Sequence, residues 1–200
     1  MTIELEAKFL EITITTFQEK LAACGGRLEY PRELQHRIMF DTSDLALDRK
    51  NAWLRLRQAD NDASLAFKQH IGTGLDGTLE HETKVGSFND MAAILLSLGY
   101  QAKAEVETFR ELWTIDKCAV AIDEWPHLPP FAEIEGPSPE MVRKVAGVLG
   151  LDFHDAVFGS ADLLYEHYYG ISRQQARTIP LRFGPLPDIL ARSSGSRSDS

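Results

Sequence analysis

The stretch Ile3-Glu4-Leu5-Glu6-Ala7-Lys8-Phe9 alternates strictly between apolar and charged residues. In a β-strand side chains i, i+2 and i+4 share a face, so Ile3, Leu5, Ala7 and Phe9 line one side and Glu4, Glu6 and Lys8 the other. The same period of two recurs at Leu34 to Asp41, Trp53 to Gln58, Ser64 to His70, Thr78 to Val85, Glu105 to Ile115, Ala119 to Asp123 and Phe131 to Glu135. About eight strands are therefore expected. Helical windows interrupt them at Thr15 to Ala23, Phe88 to Leu98 and Pro139 to Leu149, with Ser87 and Ser138 as N-caps and Pro139 at a first helical position. Gly25, Gly99 and Gly150 follow these windows, as left-handed C-terminal residues do. A further helical pair is expected over Asp152 to Tyr169, broken near Gly159.

The later strands sort their charges in the same way. Arg55 and Arg57 oppose Leu54 and Leu56; Lys68 opposes Leu65 and Phe67; Glu80, Glu82 and Lys84 oppose Leu79 and Val85. Arg110 shares its face with Val106, Thr108 and Leu112, and Glu133 and Glu135 flank Ile134. A charged strand face is ordinarily the solvated side of an amphipathic sheet. Glu4/Glu6 and Glu133/Glu135, however, set like charges about 7 Å apart along one strand without local compensation, as Arg55/Arg57 do with the opposite sign. An eight-stranded sheet that curls or closes brings these faces into one lumen, with the apolar faces outward beneath the helices. Paired carboxylates there suit hard cations such as Mg²⁺ or Mn²⁺, and Arg and Lys suit phosphate oxygens.

Composition agrees with a sizeable folded core: 200 residues, 44% hydrophobic and 9% aromatic. Lys plus Arg is 21 against 30 for Asp plus Glu, a net charge of -9, which excludes a chain-wide basic surface for duplex nucleic acid. Residues 1–170 carry 16 basic and 28 acidic side chains, and residues 171–200 carry 5 and 2, so an acidic body precedes a basic tail. Apolar periodicity fades after Gly170, and residues 171–200 are expected to be disordered. Residues 1–170 are expected to form one mostly antiparallel α+β domain. No apolar run reaches the roughly 18 residues of a membrane span, and the acidic start lacks a secretory pattern, so no membrane partner and a cytoplasmic location are expected. Cys24 and Cys118 read as reduced core residues. The six histidines show no metal-binding spacing, and Tyr165, Tyr168 and Tyr169 read as helix packing.

Glu4-Leu5-Glu6-Ala7-Lys8 has the E-x-E-x-K form of the CYTH domains, or triphosphate tunnel metalloenzymes, a family that includes class IV adenylyl cyclases, thiamine triphosphatases and inorganic tripolyphosphatases. Leu54-Arg55-Leu56-Arg57 resembles that family's L-R-x-R strand, Phe67-Lys68 its next lysine strand, and Glu80/Glu82 its central acidic strand. Arg110 resembles the arginine of its K-x-R strand, and Asp123 with Phe131-Ala132-Glu133-Ile134-Glu135 resembles its closing strands. Two departures stand out: Thr108 occupies the lysine position of K-x-R, and Arg37 stands where relatives have a non-basic polar residue.

The resemblance implies an eight-stranded antiparallel β-barrel, or tunnel, with a charged lumen and helices packed outside. It implies metal ligation of Mg²⁺ or Mn²⁺ by Glu4, Glu6, Glu133 and Glu135. Lys8, Arg55, Arg57, Lys68 and Arg110 would then bind substrate phosphate, with Lys8, Arg57, Glu82 and Asp123 in catalytic roles and Glu80, Glu82 and Asp123 on the wall; this chain's own Arg37, restoring the charge lost at Thr108, and Lys84, the nearest inward cation of its strand, are expected to join the phosphate-binding set. The implied function is divalent-metal-dependent hydrolysis of tripolyphosphate, thiamine triphosphate or ATP by a monomer or homodimer. Formation of cyclic AMP and pyrophosphate from ATP is the first alternative, and a non-catalytic polyphosphate- or nucleotide-binding module the second. The resemblance also implies that a C-terminal helix plugs or gates one tunnel mouth.

Overall fold

The structure, a computed structural model, describes residues 2–60, 62–72, 77–177 and 179–194. Nine strands form one sheet: β1 (Thr2–Glu4), β2 (Glu6–Phe9), β3 (Arg27–Thr42), β4 (Ala52–Ala59), β5 (Asp62–His70), β6 (Thr78–Val85), β7 (Tyr100–Ile115), β8 (Cys118–Glu124) and β9 (Phe131–Glu135). Their order is β1-β6-β5-β4-β3-β7-β8-β9-β2, and every paired neighbour is antiparallel. The two ends of this order are consecutive in the chain. The segment expected as one strand from Ile3 to Phe9 breaks at Leu5, pairs with β6 before the break and with β9 after it, and so joins the two edges of the sheet. Counted as one bent strand, it makes the expected eight.

Charged and apolar faces separate as the alternation predicts. Outside the sheet, α1 (Ile14–Ala23) and α3 (Pro139–Val148) cover one wall, where Phe17, Leu21, Val142, Val145 and Leu149 bury Ala7, Phe9, Val120, Ile122 and Ile134. On the opposite wall α2 (Phe88–Ser97) sets Phe88 and Leu95 against Ile38, Phe40 and Leu56. Each such side chain contributes roughly 1.5–3 kcal/mol of apolar burial, which is why the charged face turns inward. Ser87 accepts from the Asp90 amide and Ser138 from the Met141 amide, so both expected caps form. Gly99 and Gly150 sit at φ values of 93° and 68°, left-handed conformations in which a side chain is strained.

The tail differs from expectation. After α4 (Asp162–Tyr169), the short α5 (Arg173–Ala176) and α6 (Asp188–Ser194) are ordered against the barrel; residues 195–200 lie outside the described residues. Strand β8 pairs only with Phe109 to Ile115 of β7, leaving the first half of that edge open. Leu181 fills it: its carbonyl accepts from the Glu107 amide at 2.8 Å and its amide donates to the Glu105 carbonyl at 3.0 Å. Ile171, Ala176, Ile179, Leu181 and Leu190 then join Val106 and Tyr165 in one buried cluster. These apolar residues enter one at a time from an irregular chain, so no helical or strand period marks them. Charge adds to the docking, because Arg177 pairs with Asp48 and Asp162, and Arg182 with Glu105 at 2.6 Å. The basic tail thus lies on the acidic body. Tyr165 and Tyr169 anchor α4 by donating to the carbonyls of Pro126 and His127.

A chain ending at Gly170 loses five buried apolar residues and uncovers Val106 and Tyr165. Urea unfolding of that truncated protein is expected to show a loss of several kcal/mol, about 1 or more per buried residue removed. An unchanged midpoint would show the tail to be an appendage.

Candidate active site

The inward faces enclose a cavity of about 250 Å³. On one wall a row of ion pairs runs across β1, β5, β6 and β4. Lys68 Nζ lies 2.8 Å from Glu4 and 3.5 Å from Glu80; Arg55 Nη2 lies 3.3 Å from both Glu80 and Glu82; Arg57 Nη2 lies 2.7 Å from Glu82. On the other wall Lys8 Nζ bridges Glu6 at 2.6 Å and Glu133 at 3.2 Å, and Arg110 reaches Glu133 at 3.0 Å. Arg110 also donates to both oxygens of Asp123, at 2.7 and 2.6 Å, the bidentate geometry that fixes a guanidinium plane. Glu4, Glu6, Glu133 and Glu135 and the cations Lys8, Arg37, Arg55, Arg57, Lys68 and Arg110 all line this one cavity, with Glu80 and Glu82.

Two expected members do not. Lys84 sits at the exposed end of β6, its side chain 79% accessible and paired with Asp62 at 3.0 Å, because the strand runs past the rim of the lumen. Asp123 is fully buried and faces Arg110 rather than the cavity, so its role is to hold that arginine.

Other lining residues were not expected. Lys103 enters because of an irregularity in β7: Met39 pairs with Ala104 but Phe40 with Ala102, so Lys103 is an extra residue and alternation is lost there. It pairs with Asp48 at 2.9 Å, and Arg177 from the tail meets the same carboxylate. Neither a bulge nor a tail contact has a periodic signature. Trp53 and His70, by contrast, are two residues from Arg55 and Lys68 and were available from strict alternation. The described wall carries nine carboxylates and eight cations, among them neither Lys84 nor Asp123.

The carboxylates divide into two kinds. Burial opposes ionisation of Glu133, but Lys8 and Arg110 outweigh it and hold its carboxyl well below the usual range. Burial pushes Glu4 up to about 7, against the pull of Lys68. Burial, then repulsion from Glu4, Glu133 and Glu6, likewise pushes Glu135 up to about 7, and Glu6 is raised by burial and by Glu133. Glu6 and Glu135 face each other directly across β2 and β9, and Glu135 has no ion pair among the described residues. A carboxylate without an ion pair, set opposite one that shares its ammonium with Glu133, leaves a place for positive charge.

These oxygen donors are of the type that Mg²⁺ or Mn²⁺ prefers, so the residues fit a divalent cation in kind. Among the described residues no three carboxylates are drawn together as a coordination shell, and Lys8 and Lys68 hold three of the four as ammonium counter-ions.

Comparison with known proteins bears on this lumen. A sequence profile of the CYTH domain matches residues 2–145. The chain belongs to the CYTH domain family. No curated protein sequence matches it. Its fold is similar to that of the PH1012 protein from Pyrococcus horikoshii, at 17% identity and a TM-score of 0.68, covering 80% of this chain and 98% of that one. A Vibrio parahaemolyticus protein described as a candidate adenylate cyclase matches at 15% identity and a TM-score of 0.72, over 82% and 98%. The Hippeastrum protein HpAC1, described as showing a dominant triphosphatase activity, matches at 16% identity and a TM-score of 0.61, over 82% and 95%. At these identities the likeness is one of fold. The CYTH match ends near α3, so the tail wall with Arg177 lies beyond it.

The raised carboxyls set a pH dependence for the metal-free protein. An unfolded glutamate ionises near 4.5, whereas folded Glu4 and Glu135 ionise near 7. Between those values the folded state keeps protons the unfolded state has released, so stability falls as pH rises through that window. With chelator present, the urea midpoint is expected to be lower at pH 7.5 than at pH 5.5, and Glu135→Gln to flatten the difference; a midpoint independent of pH in the unsubstituted protein contradicts this.

Proposed function

We propose that this CYTH protein is a divalent-metal-dependent hydrolase of linear triphosphates, acting on tripolyphosphate or an organic triphosphate held in the lumen. The observation that carries the reading is the facing of two walls: Lys8, Arg55, Arg57, Lys68 and Arg110 converge on one cavity that also holds the opposed carboxylates Glu6 and Glu135. Glu4, Glu6, Glu133 and Glu135 would hold Mg²⁺ or Mn²⁺, which supplies Lewis-acid neutralisation of phosphate charge when bound.

The chain's own groups divide the remaining tasks. Arg55, Arg57 and Lys68 bind non-bridging oxygens along one wall, and Lys8 and Arg110 along the other, so negative charge developing on the transferred phosphoryl group meets fixed cations. Glu82, bonded to Arg55 and Arg57, and Asp123, bonded to Arg110, hold those guanidinium planes in place. In-line attack of water on the terminal phosphorus breaks the bond to the bridging oxygen and releases the shortened phosphate chain. Lys8 and Arg55 are buried, which strengthens their interactions with an anion.

A second reading, cyclisation of ATP, uses the same clamp with the ribose hydroxyl as nucleophile. It is favoured by Trp53 and His70, which line the cavity beyond Lys68 with ring centroids 5.0 Å apart and present a surface for a heteroaromatic group. Purified protein with Mg²⁺ or Mn²⁺ and tripolyphosphate, thiamine triphosphate or ATP separates the readings. Orthophosphate is the expected product, cyclic AMP with pyrophosphate marks the cyclase, and tight binding without product marks a binding module. Glu135→Gln is expected to reduce turnover by roughly tenfold to a hundredfold, and unaltered turnover and metal dependence would remove Glu135 from the site.

A further inference from the structure

Each other cation on the described lumen wall lies within 3.3 Å of a carboxylate. Arg37 has no such partner among the described residues. It is only 4% exposed, its Nη2 donates to Gln35 Oε1 at 2.8 Å, and its Nε has no hydrogen-bond partner. Burial together with the charges of Arg110, Arg55 and Arg57 works against its charged form, and the charge of Asp123 favours it. Its guanidinium carbon lies 5.3 Å from the centre of the Trp125 ring. Trp125 Nε1 and Thr108 Oγ1 are likewise buried donors without partners. Register brings these groups together: Gln35 pairs with Thr108 and Arg37 with Val106 on β3 and β7, so Arg37 and Thr108 are diagonal neighbours on the inner face.

A guanidinium buried beside like charges, with donors left over, destabilises an empty fold. That arrangement is expected where an anion completes it. The ion-pair row begins at Glu4 and ends at Arg57, and Arg57 is the residue that Arg37 faces across β3 and β4. Arg37 therefore stands at the end of the row remote from Glu4.

We propose that Arg37, with Trp125 and Thr108, is the seat of one phosphate group of the substrate, left without a counter-charge so that the anion supplies it, and that this seat selects a triphosphate over a diphosphate. The proposal rests on the reading that the lumen binds a linear triphosphate.

Calorimetric titration of tripolyphosphate and of pyrophosphate into the Mg²⁺-loaded full chain, with thermal unfolding of the ligand-free protein, tests it. Arg37→Gln is expected to weaken tripolyphosphate binding at least about tenfold and pyrophosphate binding less than about threefold, the loss of one charged hydrogen-bond set. It is also expected to leave the ligand-free melting temperature unchanged or raised, since it removes a repelled charge. Adding Thr108→Lys to that variant returns a cation one register step away and is expected to recover most of the tripolyphosphate affinity. Arg37→Gln binding tripolyphosphate as the unsubstituted protein does, or losing both anions equally, overturns the seat. So does a lowered melting temperature with no recovery on Thr108→Lys, the behaviour of a structural arginine. An unsubstituted protein that binds neither anion overturns the triphosphate reading itself, and the seat with it.

Discussion

The structure depends on one short segment pairing with both edges of the sheet. Residues 2–4 pair with β6 and residues 6–9 with β9, and the chain turns between them at Leu5, whose carbonyl accepts from the Gly136 amide. Pairing with Thr78–Glu80 of β6 and with Ala132–Glu135 of β9 covers part of each edge, which in an open sheet of this size would be exposed to pairing with other chains. It also decides the chemistry. Alternation carries through the break, so Glu4, Glu6 and Lys8 all point inward while Ala7 and Phe9 are buried under α1 and α3. The same short segment joins the two edges of the sheet and furnishes two of the lumen's carboxylates, Glu4 and Glu6.

A lumen built this way collects charge that burial would ordinarily forbid. Desolvating an isolated ion costs far more than a fold can spare, so each group must be compensated or neutralised. Most are compensated, in two continuous ion-pair systems that link Glu4 to Arg57 and Glu6 to Asp123. Asp48, Lys103, Arg177 and Asp162 form a third paired group and backbone amides hold Asp41, which leaves, among the described wall residues, Glu135, a carboxylate facing a carboxylate, and Arg37, a cation facing cations. They carry opposite signs and ask for opposite ligands, a metal ion and a phosphate. The chain's net charge of -9 does not oppose an anionic substrate, because the described wall is close to neutral. The excess negative charge lies elsewhere on the molecule, partly offset by the basic tail.

Alternation made most of this legible in advance. Because strand faces repeat every two residues, the inward positions of Glu4, Glu6, Lys8, Arg55, Arg57, Lys68, Glu80, Glu82, Arg110, Glu133 and Glu135 follow from parity alone. Parity fails where the backbone departs from it. The bulge at Lys103 turned an outward position inward, and the end of β6 left Lys84 outside although its parity was right. Asp123 has inward parity too, but Arg110 covers it. The docking of the tail has no such signature for a different reason: Ile171, Ile179, Leu181 and Leu190 fill a gap prepared by other strands, and such residues are recognisable only once that gap is known. Cooperation between Arg37 and Thr108 was equally hidden, since it depends on the pairing of β3 with β7 across seventy residues of chain.

The central claim is that this near-neutral lumen becomes a triphosphate site when a divalent cation offsets its carboxylates. The most direct measurement is the dissociation constant of tripolyphosphate by calorimetry, once in excess Mg²⁺ and once after exhaustive chelation, at constant ionic strength. The account predicts binding in Mg²⁺ and a weakening of more than about tenfold under chelation, the effect of leaving carboxylates unneutralised beside a polyanion. Equal affinity in the two conditions would contradict it.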